Sequence, residues 1–491
     1  MIEILLLQLV WSIVSYFVSV RTAMRMQIVI SSLNLLIGLS LIYRLIELLK
    51  YSNGYKAIYE LSGFLFLDAL NAVIFIVILI LALLSSIYSI GYMSKEINAG
   101  LPEKKVNEFY FWMNLFIFAM FIVALSNNFG ILWIAIEGTT LATAFLISFY
   151  RNKEAVEAGW KYIILCSIGI SFALFGIIVI YFASFHLLGE GIQALQISNI
   201  FDVADKFDKR LLTIAFIFIV VGFGTKVGFA PLHFWLPDAH SQAPTPISAL
   251  MSGVLLNCAF YAILRVDSFM NKASIGYLSS NFLLFFGLFT VFVAMMFIIR
   301  QVDYKRLLAY SSMEHMGIIA IAFGINTKLS IFAGILHTLS HAFIKGSIFY
   351  SVGSILVNYH TKEIFNIKGL FGKMPITASI LLLSVLAITG MPPFSLFITE
   401  FLITLEAIRN NFIWQAVLLL SLLVAIFGGF IYHFSQMLMG EDESNHKKEE
   451  NLYLIIPSII GLLIAVIFTF YIPKSLNILI KNINFIIGVK A

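Results

Sequence analysis

The sequence predicts an all-α integral membrane protein of about fourteen transmembrane helices, two of them discontinuous. Three observations carry that expectation. Hydrophobic residues make up 60% of the 491 and charged residues 12%, with a mean hydropathy of +0.97, a balance outside the range of water-soluble domains. Apolar stretches of about 17 to 25 residues recur, each long enough at about 1.5 Å per residue to cross a hydrocarbon core about 30 Å thick. Two stretches are broken by clusters of glycine and proline, as in transporters that place an ion site at unwound backbone.

The apolar segments fall near 2–20, 26–49, 64–89, 109–126, 129–149, 160–186, 211–230, 246–264, 277–299, 308–325, 329–357, 376–406, 412–437 and 452–472. The first opens on Met1, Ile2 and Glu3 with neither a basic leader nor a small-residue cleavage site, so it reads as a retained helix. Asp68, at the head of the third, reads as an interfacial or capping group. Gly222, Gly224, Gly228, Pro231 and Pro237 break the seventh; Gly390, Pro392 and Pro393 break the twelfth. The longest polar connections are 94–108, 187–210 and 440–451, the last reading as an ordinary solvated loop. The chain is therefore expected to form one transmembrane domain, 1–491, containing two inverted five-helix repeats, 109–264 and 277–437, each with its break in the fourth helix. Lys and Arg are slightly richer on the side carrying Arg151, Lys153, Lys305, Arg306, Lys362 and Lys368. The positive-inside rule puts that side in the cytoplasm and both termini outside.

The formal charge of +5 is scattered over short loops and makes no basic stripe, which argues against nucleic acid as a partner. Cys166 and Cys258 are too few for an iron-sulfur cluster, so redox centres belong on other subunits. No cofactor-binding or metal-binding set is read from the sequence.

An ionised side chain in mid-membrane costs at least roughly 2.5–3.5 kcal/mol, so each one needs a reason. Glu137 lies about 12 Å into its helix. Its bland reading is a neutral acid bonded to a neighbouring helix. Lys226 sits in the first broken helix, where unwound backbone can offer carbonyl oxygens to an ammonium; snorkelling to an interface is its bland reading. His337, His341 and Lys345 recur at i, i+4 and i+8, which sets three proton-exchanging groups on one helical face over about 12 Å. His240 follows the first break and Glu400 the second. Glu314 and His315 add an accessory pair near the start of segment 308–325, with Lys305 and Arg306 placing it toward an interface.

Four blocks carry a resemblance: 224–250 (GTKVGFAPLHFWLPDAHSQAPTPISAL), 303–312 (DYKRLLAYSS), 337–345 (HTLSHAFIK) and 390–403, from GMPPF to EFLI. They resemble the antiporter-like subunits of complex I, of multisubunit sodium/proton antiporters and of membrane-bound hydrogenases, over about residues 60 to 440. The runs at 158–169, 255–260 and 312–317 look most like component F of hydrogenase-4 and its relatives. The resemblance implies that Glu137 and Lys226 pair to set the pumping site, that His337, His341 and Lys345 form the central relay, and that Glu400 is the terminal ionisable position. Many relatives carry a lysine where Leu256, Asn257 and Cys258 stand, which leaves Asn257 as an accessory at that point.

The expected function is a proton-translocating, non-redox membrane subunit of a membrane-bound hydrogenase or complex I-like oxidoreductase in the cell membrane. Its partners would be the bilayer, other membrane subunits and a peripheral redox arm, with protons or sodium as cargo. The rival readings are a sodium/proton antiporter subunit and a non-pumping membrane anchor of the hydrogenase.

Overall fold

The computed structural model describes residues 1–51, 55–440, 449 and 451–489. Most of the expected loop 440–451 therefore lies outside the described residues. The chain runs α1 (Ile2–Phe17), α2 (Val20–Lys50), a hairpin β1–β2 (Ile58–Glu60, Leu65–Leu67), α3 (Ala69–Asn98), α4 (Glu103–Leu125), α5 (Phe129–Ile147), α6 (Lys153–Leu188), α7 (Ile197–Val203), α8 (Lys209–Val227), α9 (Trp235–Gln242), α10 (Thr245–Leu250) and α11 (Leu256–Lys272). It continues through α12 (Gly276–Ile298), α13 (Tyr304–Ile325), α14 (Lys328–Tyr359), α15 (Leu370–Lys373), α16 (Pro375–Ile388), α17 (Ser395–Arg409), α18 (Ile413–Leu438), α19 (Leu452–Phe470) and α20 (Lys474–Ile487).

Among the described residues eleven helices are long and apolar enough to cross a membrane, counting Thr245–Lys272 as one, and α1 and α16 are shorter apolar helices. α14, at 32 residues, falls outside the eleven; His337, His341, Lys345 and its serines lower its apolarity. The expected third segment, 64–89, begins differently. Leu65–Leu67 pair in the hairpin, and the helix starts only after Asp68, whose carboxylate accepts the Leu70 and Asn71 N–H groups in a capping box. Asp68 also holds Arg265 of α11 through two bonds of 2.6 and 2.7 Å, a buried ion pair. The stretch 187–210 is not simply loop, since it contains α7. The terminal helix α20, absent from the hydropathy reading, turns Leu476, Leu479, Ile480 and Ile483 inward.

Close packing is permitted by small residues. A β-carbon on Gly287 of α12 would lie 2.7 Å from the Gly317 carbonyl of α13, and one on Gly317 2.8 Å from the Gly287 carbonyl, so larger side chains at this crossing would force the two helices apart. Helices α1 to α4 are joined by a buried amide network. Asn114 Oδ1 accepts from Gln8 (2.8 Å) and Gln27 (3.1 Å), its Nδ2 donates to Gln27 Oε1 (2.8 Å), and Trp11 Nε1 donates to the same Gln27 oxygen (2.8 Å). Gln27 Nε2 also donates to Ser86 Oγ of α3 at 3.0 Å and Asn114 Nδ2 to the Tyr110 carbonyl at 2.7 Å, and without water in the bilayer these protein groups are the partners the amides have. Asn114→Leu is expected to destabilise the protein by roughly 1–3 kcal/mol, the cost of orphaning buried amide groups. A lowered thermal midpoint of the purified protein in detergent checks this; an unchanged midpoint would show that the amides find other partners.

Candidate functional site

The first group forms where α8 breaks. Gly228, at φ +88°, ends the helix in the left-handed region, which glycine enters without steric cost. Its N–H bonds back to the Gly224 and Thr225 carbonyls, and Trp235 Nε1 donates to the Thr225 carbonyl at 2.8 Å. The chain resumes as α9. Lys226, fully buried two residues before Gly228, donates to Thr140 Oγ1 of α5 at 2.8 Å and to the Tyr162 hydroxyl of α6, with the Tyr162 ring centre 4.5 Å away. Neither snorkelling nor bonding to unwound carbonyls describes it: hydroxyls on two other helices take the ammonium.

Glu137, one turn before Thr140 on α5, is partly buried and accepts from Ser167 Oγ of α6 at 2.8 Å. Its Oε2 is buried without a partner. The ion pair with Lys226 that the resemblance implies is not formed in this conformation; each group is held by hydroxyls instead.

The second group lies between α13, α14 and α17. His337, His341 and Lys345 share one buried face of the continuous helix α14. His315 is not interfacial. Because α13 begins at Tyr304, His315 sits about 16 Å along it, fully buried, with ring centres 5.2 Å from His337 and 5.0 Å from His341. It therefore bridges two histidines of α14 that one helical turn separates. Glu314 beside it is also buried.

In one tautomer set the hydrogen bonds run in a single direction. There Thr399 Oγ1 of α17 donates to the Leu396 carbonyl at 2.8 Å and its lone pair accepts from His337 Nδ1–H at 2.9 Å. A neutral His337 then carries a bare Nε2, which accepts from His315 Nδ1–H at 3.0 Å. His315 Nε2 is left bare and unpartnered, as are both ring nitrogens of His341. A proton delivered to His315 Nε2 can thus displace one from Nδ1 onto His337, a directed step set by one hydroxyl. Thr399→Val should slow that step roughly fivefold to tenfold, matching the roughly 1–1.5 kcal/mol of one hydrogen bond, while Thr399→Ser restores it. Initial rates of proton uptake by vesicles check this; a valine variant at full rate would remove Thr399 from the path.

Lys345 Nζ donates to the Leu308 carbonyl of α13 at 2.9 Å. The same carbonyl accepts from Ser312 Oγ at 3.0 Å, and Ser312 shares a 2.6 Å bond with Ser252 in the π-helical turn Met251–Leu255 between α10 and α11. Glu400 of α17 is nearly buried beside the second break: a β-carbon on Gly390 would meet its Oε2 at 2.1 Å. Ligand atoms of His315, His337 and Glu400 lie within 4.8 Å of one another. His240 stands apart, its ring stacked 5.6 Å from Phe349 with both nitrogens unpartnered. Asn257 donates only to the Gly253 carbonyl of its own turn, leaves Oδ1 unpartnered and lines a small internal cavity with Thr338. Among the described residues no hydrogen bond joins the Lys226 group to the histidine group. Tyr162, Thr140, Ser167, Ser252, Ser312 and Thr399 were not singled out from the sequence, because hydroxyl residues are common in membrane helices and only tertiary contact selects these.

A helical membrane bundle with two interrupted helices and a line of buried ionisable side chains is the class of protein that this fold defines. The chain belongs to the NADH:quinone oxidoreductase/Mrp antiporter transmembrane family, whose model matches residues 126–473; a second model, the complex I chain 5 N-terminus, matches residues 59–101. It is 39% identical over 394 residues to the hydrogenase-4 component F homolog of Methylacidiphilum infernorum (isolate V4), covering 80% of this chain and 83% of that one. Its fold resembles a chain of the membrane-bound sulfane sulfur reductase, an archaeal respiratory membrane complex, with a TM-score of 0.85 at 22% identity over 99% and 98% of the two chains. It also resembles a chain of the Mrp complex from Dietzia sp. DQ12-45-1b, with a TM-score of 0.83 at 16% identity over 98% and 95%.

Proposed function

We propose that this chain is the proton-translocating, non-redox membrane subunit of a membrane-bound hydrogenase or complex I-like oxidoreductase in the cell membrane, with its Arg151 and Lys305 side in the cytoplasm. The observation that carries the reading is the buried run from His341 through His315 to His337 and Glu400, which costs insertion energy and suits proton exchange. Family membership and the hydrogenase-4 component F homolog support the type of assembly. The redox arm and neighbouring membrane subunits are the partners in this reading.

Glu137 and Lys226 form its switch. An event in a neighbouring subunit would draw them from their separate hydroxyl partners into an ion pair, worth about 4 kcal/mol at about 4 Å and an effective dielectric near 20, roughly a thousandfold in a protonation equilibrium. A proton would then pass between Lys226, the Lys345, His341, His315 and His337 group, and Glu400, with His240 and Asn257 flanking the gap between the groups. The two five-helix halves at 109–264 and 277–437 belong to the same proposal; its support is that α8–α9 and α16–α17 each form the broken fourth helix of a half.

Histidines, lysines and separated carboxylates suit protons better than sodium, which favours a cage of oxygen ligands. Turnover-driven acidification by membrane vesicles is therefore expected to persist in sodium-free buffer. Strict sodium dependence would instead establish the antiporter reading, and redox turnover with no ion movement the anchor reading.

A further inference from the structure

We propose that His315, His337 and Glu400 form a site for one zinc-type divalent transition-metal ion, and that the bound ion plugs the proton relay. The binding stands on geometry alone; the plugging rests on the proposed proton path.

Two imidazoles and one carboxylate leaving a fourth position open is a ligand set that zinc takes readily, with metal–ligand distances of about 2.0–2.2 Å. Two nitrogens on one tetrahedral ion at about 2.05 Å stand about 3.3 Å apart. His315 Nδ1 and His337 Nε2 are already 3.0 Å apart, so an ion needs them to part by about 0.3 Å and each ring to turn by about 35°, because a tetrahedral ion lies off the line on which the proton is shared. The Glu400 oxygen, within 4.8 Å of both, has to swing inward, and its carboxylate is the one group of the three with any surface. The supporting shell exists: Thr399 Oγ1 accepts from His337 Nδ1–H and aims Nε2 at the ion. His341, with its ring 5.0 Å from that of His315, is not part of this cluster, so the fourth position is left open. Lys345, the nearest cation on α14, is two turns from His337, about 12 Å along the axis.

The proton balance is explicit. The His315 Nδ1 proton moves to its bare Nε2 or leaves, and any proton on Glu400 leaves, so metal and protons compete and affinity falls as pH falls. Glu400 lies on the wall of an open groove of about 530 Å³ between the α16–α17 break and α18, lined by the exposed Phe397, Phe401, Leu420 and Val424 among others, and in this proposal the ion enters past it. Those walls are apolar, so loading is slow and inhibition develops with time.

The test uses the assembled complex, purified through a tag that carries no histidine. Incubation with Co²⁺ is expected to give the intense visible d–d bands of a tetrahedral centre, one ion per chain, displaced by Zn²⁺. His315→Ala and His337→Gln should abolish the bands, and Thr399→Val should weaken Co²⁺ affinity about 10- to 100-fold, as lost supporting contacts do. Absence of a tetrahedral spectrum in the unaltered complex overturns the proposal without any variant, as does an unchanged spectrum in assembled His315→Ala. Pumping is measured separately. A complex that binds Co²⁺ at this site yet pumps undiminished keeps the site and removes the relay, whereas no metal binding with normal pumping leaves the relay reading untouched.

Discussion

Lys226→Ala is expected to bring proton translocation down to the passive leak while the partner subunits keep their redox chemistry and the complex stays assembled. The chain contributes only two cysteines, both buried and unpaired, so the substitution removes no redox ligand. What it removes is the ammonium held by Thr140 and Tyr162. A positive charge needed only for packing would be replaced by arginine, which keeps its charge at any working pH. A lysine that must release its proton would not be, so Lys226→Arg should fail as completely as Lys226→Ala. Glu137→Gln retains an oxygen for Ser167 but loses the charge that the proposed switch uses to draw Lys226 out of its hydroxyl cradle, and it should also uncouple redox turnover from pumping. Vesicles carrying each variant, matched for membrane content, supply the measurement: quinacrine-type acidification against redox rate. Pumping at the unaltered level in Lys226→Ala would remove this residue from the mechanism, and recovery in Lys226→Arg would reduce it to a structural charge.

The breaks in α8 and α16–α17 were legible because glycine and proline are local signals whose effect on the backbone does not depend on what surrounds them. The shared face of His337, His341 and Lys345 was legible for a similar reason, since helical period alone sets it. The partners were not. Which atoms hold Lys226 depends on how α5 and α6 pack against α8, and nothing within the segment 211–230 encodes that. His315 was misplaced toward an interface because an apolar window cannot see that α13 begins at Tyr304, where Asp303 caps it through the Lys305 and Arg306 N–H groups. Lys305 itself is buried, donating to the Ala243 carbonyl at 2.7 Å, so a nearby lysine was no marker of the membrane surface. Asp68, read as an interfacial or capping group, does cap α3, but its partner Arg265 comes from 197 positions away and no local pattern links them.

His315→Ala should stop translocation as fully as the loss of Lys226, and this separates two routes that the sequence alone could not. If protons step along α14 from His341 to His337, the residue on α13 is dispensable, and its removal costs little beyond packing. The two α14 histidines, however, are a full turn apart, about 6 Å along the axis. His315 fills that interval, with a 3.0 Å bond to His337 and its ring 5.0 Å from His341. His315→Gln keeps an amide able to donate to His337 Nε2 but cannot accept a proton on one atom and release it from another, so it should preserve assembly without restoring flux. Moving the terminal base instead, by Lys345→Ala with Gly346→Lys, is a poorer test: a β-carbon on Gly346 would lie 2.9 Å from Leu81 Cδ2 of α3, so that variant would disturb packing as well as the relay. Proton uptake in vesicles carrying assembled His315→Gln decides between the routes. Flux near the unaltered rate would place the path on α14 alone, and flux at the leak level would place it across α13.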